Sequence, residues 1–169
     1  GGFATTTMLL EVRNPNNRVL EGTLQFPLGS GQQVVGFALD IGGSLRDAVP
    51  VPKARGRQVF ESIERRGVDP GLLEQTAGNH FRLRIYPIPA HGARQVRLVI
   101  EEAMPLESGS WRIAVPVQLL AGAEAFSLRV RANGVASAPS VDGNFGALPF
   151  KRDAHGYQAN IRRTAFRPQ

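Results

Sequence analysis

Strict alternation of apolar and polar side chains, interrupted at short intervals by glycine or proline, is the feature that most restricts what this chain can become. Successive side chains of a strand point to opposite faces, so alternation marks a half-buried strand. From Thr5 to Arg13, Met8, Leu10 and Val12 fall on one side and Glu11 and Arg13 on the other. Leu20, Gly22, Leu24 and Phe26 alternate with Glu21, Thr23 and Gln25, and Val35, Phe37, Leu39 and Ile41 form a third set. Phe81, Leu83 and Ile85 oppose Arg82, Arg84 and Tyr86; Val96, Leu98 and Ile100 oppose Arg97, Val99 and Glu101. The pattern continues through Trp111, Ile113, Val115 and Val117, then Phe126, Leu128 and Val130, then Tyr157, Ala159 and Ile161.

Between these runs lie turn signals. Asn14-Pro15-Asn16-Asn17 is a strong one, because asparagine tolerates left-handed backbone and proline presets the first turn dihedral. The first two strands are therefore expected to pair as a hairpin, with Pro27 ending the second. Gly29-Ser30-Gly31 and Gly42-Gly43 bracket the third strand. Further turns fall at 107–110, 121–125, 133–134 and 142–144.

One block breaks the pattern. Over about 54–66, Val59, Phe60 and Ile63 make a narrow apolar stripe at helical spacing, Glu61 and Arg65 stand four apart, and Gly67 stops the run. Asp69-Pro70 then supplies a cap and a first-turn proline for a short helical turn over about 70–75. The expected fold is mainly β: an antiparallel sandwich carrying one main α-helix.

With 42% hydrophobic and 20% charged residues the chain of 169 residues can bury a core. Its 19 glycines and 12 prolines suit many short strands. Having no cysteine, it can form neither disulfides nor thiolate metal sites. No stretch approaches the roughly 20 apolar residues of a membrane-spanning helix. The abrupt Gly1-Gly2 start reads as a cut end from which a targeting element could have been removed.

The formal charge is +6, and only Lys53 and Lys151 of the 20 basic residues are lysines, leaving 18 arginines. Arginine forks onto carboxylates and phosphates, so polyanions come into question, although the arginines form no continuous basic run. The best surface is on strand faces: Arg82 and Arg84, Arg94 and Arg97, Arg129 and Arg131. Nucleic acid is disfavoured, since sheet platforms that read bases interleave exposed aromatics and only Tyr86 accompanies these arginines. An acidic glycan or a protein partner fits better.

Signals for bond-making chemistry are weak. His80, His91 and His155 lack the spacing of a zinc site, and Gly29-Ser30-Gly31 lacks the spacing and the following helix of a phosphate loop. There is no nucleophile elbow and no thiol. Glu101-Glu102 and Glu61/Glu64 are adjacent acids with nothing to place them across a cleft. An enzyme would have to assemble His80, His91 and Asp69 from distant parts of the chain. No catalytic residue, cofactor or metal is assigned.

The ordered set of motifs resembles the VIT domain, the vault-protein and inter-alpha-trypsin module. Its alternating strand, asparagine turn and Phe-Pro-Leu are matched by Glu11-Val12-Arg13-Asn14 and by Glu21 to Phe26-Pro27-Leu28. Ala54, Phe60 and Gly67 fit its helix, with Phe60 where the family usually has tyrosine. Leu72-Leu73-Glu74, Phe81, Ile85 and Ile88 fit its leucine-rich turn and following strand. Gln95 to Glu101 fit its last strand, with Ile100 in a tyrosine position. The resemblance spans about residues 3–103. It divides the chain into a VIT domain, 1–103, and a β-rich continuation, 104–169. The continuation reads either as a second sandwich or as the completion of the first. The lack of any linker favours close packing of the two.

The resemblance implies a non-enzymatic interaction and scaffold module of a larger secreted or cell-envelope bacterial protein, acting in adhesion or assembly. The implied partner is a protein or a neighbouring domain. VIT modules often precede a von Willebrand A domain, whose adhesion site is read from Asp-x-Ser-x-Ser. Asp40, Asp47, Asp69, Asp142 and Asp153 all lie outside that motif, so such a site would belong to another domain. Polyanion binding through the arginine-bearing faces is the alternative.

Overall fold

A computed structural model of the chain describes residues 2–49, 71–117 and 123–164. The expected helix over 54–66, with Phe60 and Gly67, lies outside the described residues. Among those residues there is no α-helix. Two compact units, Gly1–Val115 and Pro116–Gln169, make up the chain.

In the first unit the alternating runs become two facing antiparallel sheets. One contains β1 (Gly2–Arg13), β7 (Ala93–Met104), β3 (Gln32–Ile41) and β4 (Ser44–Asp47), in the order β1-β7-β3-β4. The other contains β2 (Leu20–Pro27), β6 (His80–Ile88) and β5 (Gly71–Gln75), in the order β2-β6-β5. A two-stranded ribbon of β8 (Leu106–Glu107) and β9 (Ser110–Trp111) follows.

The core lies where the alternation places it. Leu83 and Ile85 from β6 meet Val96, Leu98 and Ile100 from β7, and all five are essentially inaccessible. Burying each contributes on the order of 1.5–3 kcal/mol. Phe26 and Phe81, opposite each other on β2 and β6, stack with ring centroids 5.8 Å apart. At the far edge the backbone of β5 comes close to β3: a Cβ on Gly71 would sit 2.9 Å from Leu39 Cδ2 and 3.2 Å from Phe37 Cζ.

Four local expectations are corrected. The turn over 70–75 is not helical, because Gly71–Gln75 is extended and pairs with β6, Leu73 opposite Leu83; sheet pairing overrides the local helix-start signal. β1 and β2 do not form a hairpin. They lie in different sheets, β1 paired with β7 and β2 with β6. The turn is real, but it carries the chain across the sandwich. The side-chain amide of Asn14 donates to Arg18 O, Ile88 O and Pro89 O, tying this turn to the one between β6 and β7.

The third correction concerns Val35. It does not alternate with Phe37 and Leu39, because a bulge between Val34 and Gly36 leaves it without a partner on β7, and it is exposed. The fourth is the strand expected over 111–117, which stops at Trp111. Pro116 has no N–H for a ladder, and the carbonyl of Ala114 instead accepts from Gln32 Nε2 at 2.8 Å.

The second unit is a three-stranded sheet, order β10-β12-β11, from β10 (Ala125–Asn133), β11 (Lys151–Arg152) and β12 (Gly156–Thr164). Phe126, Leu128 and Val130 are half-buried on one face with Ala159. Phe145 closes that face against Phe126, ring centroids 6.0 Å apart.

Candidate interaction surfaces

The six arginines singled out from the sequence occupy several different surfaces. Arg82 and Arg84 point outward from β6, opposite the core set of Phe81, Leu83 and Ile85. Arg84 forks onto Glu21 of β2, Nε to Oε1 at 2.6 Å and Nη2 to Oε2 at 3.0 Å. Arg97, on the outer face of the other sheet, pairs with Asp47 of β4. Arg94 donates through Nε to the carbonyl of Pro87 at 2.7 Å. Arg84, Arg97 and Arg94 are engaged inside the fold, which removes much of their appeal to an outside anion. Arg82 is half-buried, with its Nε enclosed and without a hydrogen-bond partner. Arg129 and Arg131 stand together on the exposed face of β10 in the second unit.

The residues that carry the sequence signature are structural in placement. Asn14 is buried at one end of the sandwich, and Leu28 is buried at the other, its N–H donating to Asn79 O at 2.9 Å. Asn79 in turn donates from Nδ2 to Gly29 O and Gln32 O. Glu21 holds Arg84, Phe26 stacks on Phe81, and Pro27 ends its strand opposite His80.

Candidate catalytic groups are kept apart. His80 begins β6 and His91 follows its end, in the turn closed by Gly92 N–H to Pro89 O. The nine residues of β6 separate them by roughly 25 Å. Asp69 lies outside the described residues. Glu101 and Glu102 project to opposite faces of β7, Glu101 exposed and Glu102 buried against Gln32 at 3.2 Å. Among the described residues no group of three or more His, Asp or Glu side chains is placed to hold a metal. No described helix is long and apolar enough to cross a membrane.

The most open feature of the first unit is β1. It ends its sheet, bonded to β7 on one side only among the described residues. Edge strands are usually blunted by proline, lysine or shortness. β1 is twelve residues long, has neither residue, and carries no charge before Glu11. Its two charges, Glu11 and Arg13, are spent on each other at 2.6 Å. Phe3, 78% exposed, and Leu9, 60% exposed, add apolar surface along it. The sequence showed the strand. That it would be an edge depends on which strands it pairs with, which no local pattern encodes.

Residues 1–100 match the family model for the vault protein inter-alpha-trypsin domain. No curated protein matches the chain.

Proposed function

Because the chain belongs to the vault protein inter-alpha-trypsin domain family, we propose that it works as a non-enzymatic interaction and scaffold module of a larger secreted or cell-envelope protein, in adhesion or assembly. The observation that carries this reading is the one-sided edge of β1, which bears no charge before Glu11. An extended segment of a partner protein or a neighbouring domain adds to it as a further strand. Main-chain hydrogen bonds supply the affinity, and contacts with Phe3 and Leu9 supply selectivity.

The test is site-specific photo-crosslinking in the native producing cells, with the reactive residue at Thr7 of β1 or, as a control, at Ser44 of the short β4. Discrete protein adducts are expected from position 7 in the envelope or secreted fraction. Lysines placed at Thr5 and Leu9 should abolish them by blunting the edge. Adducts that survive both lysines, or that arise equally from position 44, would refute the reading.

A further inference from the structure

The sheet of the second unit has a face that strand docking on β1 does not use. The register sets Ser127 opposite Arg162, Arg129 opposite Asn160, and Arg131 opposite Gln158; Lys151 lies on the other side of Gln158. Four cations, Arg129, Arg131, Lys151 and Arg162, therefore share one face, with Asn160 and Gln158 between them. All four are exposed. None of the three strands contains an acidic residue.

Arg84 and Arg97 of the first unit pair with Glu21 and Asp47; the four cations of this face have no such acidic partner among the described residues. The one internal bond is neutral, from Arg129 Nε to Asn160 Oδ1 at 3.0 Å. The nearest acid along the chain, Asp153, is occupied: its Oδ1 accepts the N–H groups of His155 and Gly156. A shallow hollow of about 270 Å³ opens on this face, lined by Pro149, Lys151, Gln158 and Asn160.

Cations two apart on a strand stand roughly 7 Å from each other, and neighbouring strands are about 5 Å apart. Arg129 and Arg131 are thus one such step apart, and Arg131 and Lys151, on either side of Gln158, are two strand spacings or roughly 10 Å apart. These distances are comparable with the Debye length of about 8 Å at physiological salt, so the charges repel one another with only partial screening. A ligand with regularly spaced anionic groups relieves that repulsion. Guanidinium forks match carboxylate and sulfate oxygens, and the side-chain amides between them can exchange hydrogen bonds with hydroxyl groups. The strand positions on this face carry no aromatic residue on which a base could stack. The described residues of this unit contain no α-helix to enter a duplex groove.

We infer that this face binds an acidic polysaccharide, a chain of uronate or sulfated sugars. The hollow beside Lys151 receives one sugar, and the arginines hold the acidic groups on either side.

The inference is independent of the β1 edge and is tested on the whole chain with immobilised heparin and polyuronate as probes. Binding is expected at about 50 mM salt, weakening roughly 50- to 150-fold by about 200 mM for four ionic contacts. The triple variant R129Q/R131Q/R162Q should lower the salt slope by about three. R84Q/R97Q, which alters arginines already paired, should leave it unchanged. Because the three side chains replaced in the triple variant are exposed, circular dichroism should report an unaltered fold for it, and the single variant R131E provides a second reading in the same direction. No binding to either probe, or equal binding by the triple variant, overturns the inference. So does equally tight binding of a single-stranded oligonucleotide or of poly-glutamate, which would make the face a nucleic-acid site or a general acidic-protein site.

Discussion

Asn14 lies 74 residues before Ile88, yet its side-chain amide donates to the Ile88 carbonyl at 3.1 Å and to the neighbouring Pro89 carbonyl at 3.0 Å. Its Oδ1 accepts the N–H of Asn16 at 3.0 Å, and its own N–H donates to Gly92 O at 2.9 Å. One buried amide thus holds together the two turns at this end of the sandwich.

Replacing Asn14 with alanine leaves buried carbonyls without donors, and each unsatisfied group costs about 1–3 kcal/mol. Asn14→Ala should lower the unfolding free energy by roughly 2–4 kcal/mol, read from the urea midpoint at unchanged slope. Asn14→Asp should do no better, since a carboxylate cannot donate to those oxygens. A loss below about 0.5 kcal/mol, the usual effect of a surface change, would show that water replaces the amide.

Leu83, fully buried at the centre of β6, should cost about 2–5 kcal/mol on truncation to alanine. Leu9, of the same residue type but 60% exposed on β1, should cost less than about 1 kcal/mol when changed the same way. Parallel urea titrations of the two variants decide whether the cores assigned by alternation are the ones that carry stability.

Glu11 provides a pH-dependent signal. Its hydrogen bond from Arg13, with a smaller one from Gln95, holds its carboxyl below the ordinary value of 4.5. A depressed folded-state pKa contributes stability above the ordinary value and loses it as pH falls through the lowered one. In a carboxyl-resolved NMR titration, Arg13→Gln should move the Glu11 midpoint upward, toward the ordinary value. An unmoved midpoint would mean that Arg13 is not its partner in solution.

Gly156 begins β12 with φ of 152°, and a Cβ there would collide with the carbonyl oxygen of Ala132 on β10. Gly156→Ala should therefore cost about 2–3 kcal/mol or more through backbone strain and a forced shift of the pair. The loss should appear as early hydrogen exchange in β10 and β12, with the amides of β6 and β7 still protected. Protection equal to that of the parent chain would contradict the register of this sheet.

Alternation was readable along β1, β2, β6 and β7 because side-chain direction in a strand is a local property: Met8, Leu83 and Leu98 fell on the faces expected of them. The family was readable as well, since its signature is an ordered series of such local features. What no local pattern contained was which strands would lie side by side. The Asn14 turn was visible as a turn, but a turn sequence does not say whether its flanking strands pair or part. Here the carbonyls of Ile88 and Pro89, supplied from far along the chain, drew it across the sandwich. Strand pairing also decided that β1 would be an edge, that Leu72 to Glu74 would be extended, and that Lys151 and Arg162 would join Arg129 and Arg131 on one face. Alternation is set by the chirality and pleat of single residues, whereas neighbourhood is set by hydrogen bonds that close only once distant segments meet.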